Sequence, residues 1–263
     1  MSPRPRLDVW LVERGLAPTR EKAQALVMAG RVRVGGHPAT KPGRGVPAEA
    51  EVEVTAGPTH VGRGALKLEG ALDTFAVDPR GRTAVDVGAS TGGFTEVLLA
   101  RGAARVYAVD VGRGQIHESL RSDPRVVVLE RTNARHLSAA VVPEPCSVAT
   151  LDVSFISLRR ILPSLRTVLA PDADVLALVK PQFEVGRGQV GRGGIVREPE
   201  RHRQALRGVA TAAQEEGYAV RSACASPIEG MEGNREFFLH LQERGEALAA
   251  DGLARLVEAA VQA

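Results

Sequence analysis

Lysine is scarce in this chain. Of thirty-four basic residues only Lys22, Lys41, Lys67 and Lys180 are lysines, and the other thirty are arginines. Arginine meets any need for fixed positive charge, because its guanidinium stays protonated. A lysine kept in such a background points to a compact ammonium, or to one that can give up its proton. Aromatic residues make up 3% of the 263 residues, which argues against a broad stacking platform. The two cysteines, Cys146 and Cys224, lie far apart in apolar segments. They read as buried free thiols of a reducing cytoplasm, not as a disulfide framework. No Cys/His cluster has the spacing of a zinc site, so no metal is expected. No apolar run reaches the roughly eighteen residues of a membrane span, and no signal-peptide pattern follows the N-terminus. The expected location is the cytoplasm, and nothing calls for an obligate protein partner.

The formal net charge of +3 is unevenly spread: residues 1–48 hold nine basic and three acidic side chains, against 25 and 28 in the rest. A positive module joined to a near-neutral remainder suggests one part that holds a polyanion and one that does chemistry. In the module, Leu7, Trp10 and Leu11 form an i, i+3, i+4 stripe, predicting a helix over 6–14. Thr19 is placed to cap a second helix with the stripe Ala23, Leu26 and Val27. Val32 and Val34 then alternate with Arg31 and Arg33 before the Gly35-Gly36 turn, and Val52 and Val54 alternate with Glu51 and Glu53. This order of elements resembles the S4 RNA-binding domain over about residues 6–55. The resemblance implies contact with structured RNA largely through its backbone. Arg6, Arg20, Lys22, Arg31 and Arg33 are the candidates, a solvated charged face being the alternative. The expected organisation is an S4-like domain at 1–56, a Gly/Pro-rich linker at 57–64 and a larger domain at 65–263.

From residue 65 onward helical and strand patterns alternate, which predicts an α/β fold with a mostly parallel sheet covered on both faces. Strands are expected at 84–87, 105–109, 126–129, 147–151, 174–179, 218–225 and 235–241, with helices near 65–75, 93–102, 114–121, 157–169, 199–216 and 243–262. The sharpest local signal is Ala84-Val85-Asp86-Val87-Gly88-Ala89-Ser90-Thr91-Gly92-Gly93-Phe94, a strand running into a glycine turn and a helix. Glycine lets backbone approach a ligand closely. Asp110 ends the second strand, where a carboxylate can accept hydrogen bonds from a ribose. The turn is not Gly-x-Gly-x-x-Gly, which disfavours a dinucleotide oxidoreductase. An acid just before the glycines suits the cationic amino-acid end of S-adenosylmethionine (SAM). The cofactor candidates are Asp86, Gly88, Ser90, Thr91, Gly92, Gly93, Phe94 and Asp110, with Asp152 after the fourth strand. Asn133, after the third strand, can reach an adenine edge or cap a turn.

With these stretches in view, the whole chain resembles the TlyA family, sometimes labelled hemolysin. Its catalytic domain is similar to the FtsJ/RrmJ-type RNA 2'-O-methyltransferases, a SAM-dependent Rossmann-like fold. The resemblance rests on Arg63-Gly64-Ala65-Leu66-Lys67-Leu68-Glu69-Gly70, the 86–94 turn, Leu151-Asp152-Val153-Ser154-Phe155-Ile156-Ser157-Leu158, Lys180-Pro181-Gln182-Phe183-Glu184 and Gly230-Met231-Glu232-Gly233-Asn234-Arg235-Glu236. It implies a Lys-Asp-Lys-Glu tetrad at Lys67, Asp152, Lys180 and Glu236. In that role Lys180 would orient and deprotonate a ribose hydroxyl, with Lys67 nearby lowering its proton affinity, or would stabilise the developing alkoxide. Asp152 would hold Lys180, and Glu236 would orient Lys67 or the hydroxyl. Phe155 reads equally as core or as a base-stacking ring, and Ser154 as a ligand contact or a cap. The stretch 183–197, with Arg187 and Arg192, is expected to be a loop that meets RNA. The family implies methylation of a cytidine 2'-hydroxyl in large-subunit ribosomal RNA, in some members also in small-subunit RNA, with local flipping of the nucleotide. The alternatives are a non-catalytic RNA-binding or ribosome-assembly protein, a base methyltransferase, and a membrane-lytic protein. The segment Asp152-Val153-Ser154-Phe155 lacks the Pro-Pro of the base enzymes, and no basic amphipathic helix supports lysis.

Overall fold

The structure is a computed structural model, which describes residues 4–28, 30–47, 49–54, 60–186, 188–230 and 232–263, with the side chain of Arg192 also left undescribed. The chain divides into two compact units, residues 1–65 and 66–263.

In the first unit α1 (Leu7–Glu13) and α2 (Arg20–Met28) precede β1 (Val32–Val34), β2 (His37–Pro38) and β3 (Val52–Val54). The order across its small sheet is β2-β1-β3, all antiparallel. The apolar stripes of both helices close on the strand valines, so Leu7, Trp10, Leu11, Ala23, Val27, Val32 and Val34 form one core. Thr19 Oγ1 accepts from Lys22 N–H at 3.2 Å, capping α2. Within that small core sits a buried carboxylate, Asp8. It accepts from Arg6, from Arg20 at 3.0 Å and from Gln24 at 2.8 Å. The Arg6 guanidinium holds this carboxyl far below the usual range against the opposing effect of burial.

The second unit follows α3 (Gly64–Phe75) with β4 (Thr83–Val87), α4 (Gly93–Ala100), β5 (Arg105–Val109), α5 (Glu118–Arg121), β6 (Val126–Leu129) and β7 (Cys146–Leu151). Then come α6 (Leu162–Arg166), β8 (Leu169–Val179), α7 (Pro181–Glu184), α8 (Pro199–Glu215), β9 (Ala219–Ala225), β10 (Phe237–Gln242) and α9 (Ala250–Gln262). The sheet order is β6-β5-β4-β7-β8-β10-β9. Strands β6 to β8 run parallel, and β10 runs antiparallel to both its neighbours, so the sheet is mixed. Side chains alternate across it: Tyr107 and Val109 join the larger core with α8 and α9, while Ala108 joins a smaller cluster with Ile116.

The outer edges of several elements differ from expectation. The 157–169 pattern becomes a 3-10 turn at Leu158–Arg160 followed by the short α6. Only Glu118–Arg121 of the 114–121 stretch is helical. Strand β8 begins five residues early, at Leu169, and Cys224 is half-buried where burial was expected, whereas Cys146 is buried. No helix among the described residues is long and apolar enough to cross a membrane.

Candidate active site

Parallel strands present their C-terminal ends on one edge, and the turns that leave that edge carry the candidate residues. At the end of β4, Gly88 has φ +86°, and a Cβ there would overlap the carbonyl oxygen of Asp152 on the neighbouring β7 turn. Gly92 has φ +99°, and its missing Cβ makes room for Leu120. Both positions therefore require glycine, and the turn stays low against the strand ends. Ser90 takes the same left-handed region, with φ 49°. Its amide donates to Asp110 Oδ2 at 2.8 Å, and Gly112 N–H donates to Asp110 Oδ1 at 2.7 Å. Asp110 is thus fixed beside the glycine turn by two backbone amides.

Asp86 and Phe94 sit differently. Asp86 is fully buried beneath the turn and accepts from Thr95 Oγ1 at 2.7 Å and Thr150 Oγ1 at 2.9 Å. Burial pushes its carboxyl up to about 7, against the pull of the two hydroxyls. Asp86 was expected to meet a cofactor's ammonium through water or backbone; its own side-chain partners are Thr95 and Thr150. Phe94 is also buried, its ring stacked 6.1 Å from that of Phe238. Ser90 and Thr91 are exposed. Asn133 spends its side-chain oxygen on Arg135 N–H at 3.1 Å, capping a 3-10 turn, and leaves its amide nitrogen for other use.

The four tetrad candidates gather on the same edge. Phe237 pairs with Val179, so Glu236 and Lys180 are the next residues outward on adjacent strands. Asp152 follows β7, the other neighbour of β8, and its N–H donates to Val87 C=O at 2.9 Å. Lys180 Nζ lies 2.6 Å from Asp152 Oδ1 and donates to Ser154 Oγ at 3.0 Å. Lys67 reaches from α3 to Glu236 Oε2 at 2.5 Å, with both residues buried. Two ammonium groups and two carboxylates thus meet as two ion pairs with no net charge. Neighbouring strands lie about 4.8 Å apart, so the ends of β7, β8 and β10 span roughly 10 Å, the scale of one nucleotide.

Next to this edge stands Phe155, 92% exposed, with φ 63°, an uncommon backbone state for an aromatic residue. Its ring lies 5.2 Å from that of Phe183. Glu184, which the sequence reading passed over, ties the two turns together. It accepts from Ser157 Oγ at 2.6 Å and from Leu158 N–H at 2.7 Å. Burial raises its carboxyl above the usual range, while Ser157 and Leu158 oppose that rise. Its place four residues after Lys180 was the available signal.

The RNA candidates of the first unit divide. Lys22 and Arg33 are exposed, Arg31 is half-buried, and Arg6 and Arg20 are both held on Asp8 with about half of each side chain in solvent. Arg187 and the side chain of Arg192 lie outside the described residues. Among the described residues no group of three or more His, Cys, Asp or Glu could hold a metal ion.

The FtsJ-like methyltransferase model matches residues 60–243, and the S4 domain model matches residues 5–52. A 16S/23S rRNA (cytidine-2'-O)-methyltransferase TlyA of Mycobacterium tuberculosis is 49% identical, covering 99% of this chain and 98% of its own. The chain belongs to the TlyA family. A solved Streptococcus thermophilus structure whose name includes the word hemolysin is 41% identical, with a TM-score of 0.75, over 100% of this chain and 97% of its own. A SAM-dependent methyltransferase from Mesorhizobium loti has a TM-score of 0.50 at 12% identity, over 68% of this chain and 99% of its own. At that identity the likeness is of fold alone, an α/β methyltransferase-like fold with a mixed sheet. The TlyA-family chain adds the S4 unit to it.

Proposed function

We propose that this protein transfers a methyl group from S-adenosylmethionine to the 2'-hydroxyl of a cytidine in ribosomal RNA. The observation that carries this reading is the pair of lysine–carboxylate contacts, Lys180–Asp152 and Lys67–Glu236, on adjacent strand ends beside a glycine turn. At Gly88 and Gly92 the Asp152 carbonyl and Leu120 pack where a side chain would stand, so the turn lies low beside the strand ends where a cofactor would sit. Asp110 would take a ribose of the cofactor, and Ser90, Thr91 and Asn133 its polar edges. When bound, the cofactor supplies a methyl group already activated on a sulfonium.

The chain's own task is then alignment and proton handling. A ribose hydroxyl is a poor nucleophile until its proton is drawn away. Lys180 as a neutral amine is the group to draw it, or as an ammonium to stabilise the charge that develops on oxygen. Asp152 and Ser154 fix where the Lys180 nitrogen stands, and a fixed donor costs no reorganisation in the transition state. Glu236 plays the same part for Lys67. Phe155 offers an exposed ring against which a displaced base can stack. The S4 unit, through Lys22, Arg33 and the exposed parts of Arg6 and Arg20, would hold the RNA.

The large subunit is the favoured source of the substrate, with the small subunit as a second one. Isotope-labelled methyl transfer to both subunits, followed by mass mapping, tests this. A 2'-O-methylated cytidine is expected in the large-subunit RNA. Absence of transfer to either subunit, or methylation on a base, would refute it.

A further inference from the structure

Asn234 stands two residues before Glu236 and is only 1% exposed, although its side chain is polar. Both ends of its amide serve a distant segment. Oδ1 accepts from Val196 N–H at 2.9 Å, and Nδ2 donates to the Gly194 carbonyl at 2.9 Å. Val196 is also held from α8, where His202 Nε2 lies 2.9 Å from its carbonyl oxygen. A carbonyl can only accept, so the His202 proton sits on Nε2. Gly194–Val196 ends the glycine-rich stretch that begins just after Lys180 and α7.

On its own side Asn234 closes a turn: its carbonyl accepts from Gly230 N–H at 2.8 Å. A Cβ on Gly230 would stand 2.6 Å from Glu236 Oε1, so this turn packs directly on the carboxylate whose other oxygen holds Lys67. The Gly230 position is tight for that reason. One buried amide therefore joins the end of the glycine-rich stretch to the base of the Glu236–Lys67 pair. Asparagine suits the place because its amide offers an acceptor and a donor on one short stem; aspartate lacks the donor and leucine lacks both.

We propose that Asn234 is a positioning residue that couples the 194–196 anchor to the Glu236–Lys67 pair, so that the stretch after Lys180 and the carboxylate keep one geometry. The proposal rests on the methyl-transfer reading and deepens it. Leaving buried backbone groups unpaired costs enough to shift local equilibria by about tenfold or more.

The test uses the full chain with Asn234→Ala and Asn234→Asp, and reads three quantities: amide exchange at 194–196, SAM affinity by calorimetry, and kcat and KM on ribosomal RNA. For Asn234→Ala, exchange at Val196 is expected to rise about tenfold and kcat to fall about tenfold, with SAM affinity within about twofold of wild type. Asn234→Asp keeps the acceptor for Val196 N–H, so it should restore protection there and recover part of kcat. A merely structural role would lower kcat and SAM binding together, in step with the folded fraction, and that result in both variants would overturn the proposal. Wild-type kcat in Asn234→Ala would overturn it as well. Should the wild-type protein itself transfer no methyl group to ribosomal RNA, the methyl-transfer reading fails first and this proposal with it.

Discussion

Replacing Lys67 with methionine removes half of the most deeply buried ion pair at the site. Lys67 and Glu236 are 8% and 3% exposed and meet at 2.5 Å. Methionine keeps an unbranched stem of similar reach, so the change is chiefly one of charge. Removing one partner of a buried pair costs about 3–5 kcal/mol, because the remaining charge has nothing to offset its lost hydration. Gly230 crowds Glu236 Oε1 on its other side, which leaves the orphaned carboxylate little room to turn toward water. Adding Glu236→Gln removes the orphaned charge and should recover most of the stability without recovering methyl transfer. Urea unfolding of the wild type, both single variants and the double variant gives the cycle, and labelled methyl transfer gives the activity. A loss under about 1 kcal/mol in Lys67→Met at pH 8 would refute the buried-pair argument. An active double variant would remove the pair from the chemistry.

Three other outcomes are expected. Gly88→Ala forces an alanine into φ +86° and onto the Asp152 carbonyl, and should weaken SAM binding by about tenfold or more; unchanged affinity by calorimetry would count against the glycine cradle. Burial lifts the Asp86 carboxyl from 3.8 to about 7, so the folded state holds this proton more tightly than the unfolded chain. Its contribution to stability is full below about pH 4 and is lost as pH rises through about 7. Asp86→Asn, which cannot ionise, should therefore gain on the wild type between pH 5 and pH 8 in urea unfolding, and an equal difference at both would contradict the shift. Phe155→Ala removes a ring that is 92% exposed, so melting temperature and SAM affinity should hold while KM for ribosomal RNA rises about tenfold; an unchanged KM would free Phe155 from any role in substrate binding.

Much of the sheet was legible because its strands read as short apolar runs between turn residues, mostly buried in β5 and half-buried in the edge strand β6. The runs at 105–109 and 126–129 coincide with β5 and β6. Helix ends were less legible where periodicity is short: the 157–169 pattern gives way to a 3-10 turn because Pro163 and the Ser157 cap restart the backbone there. At the site, Lys67 and Lys180 stood out because lysine is rare in this chain, whereas Asp152 and Glu236 came from the family resemblance. The orientation of Asp86 could not be read from its place before the glycines, since it depends on Thr95 and Thr150, nine and sixty-four residues away. Asp8 was hidden in the same way. Its value lies in gathering Arg6, Arg20 and Gln24, a contact set that spacing along the chain does not announce.

The most direct test of the account is Lys180→Ala, because this nitrogen, 2.6 Å from Asp152 and 3.0 Å from Ser154, is assigned the ribose hydroxyl, as a neutral amine taking its proton or as an ammonium stabilising the oxygen charge. Methyl transfer to ribosomal RNA and SAM binding should be measured on the same preparation. The account predicts retained SAM binding and a loss of methyl transfer of about a hundredfold or more. Turnover near that of the wild type would contradict it.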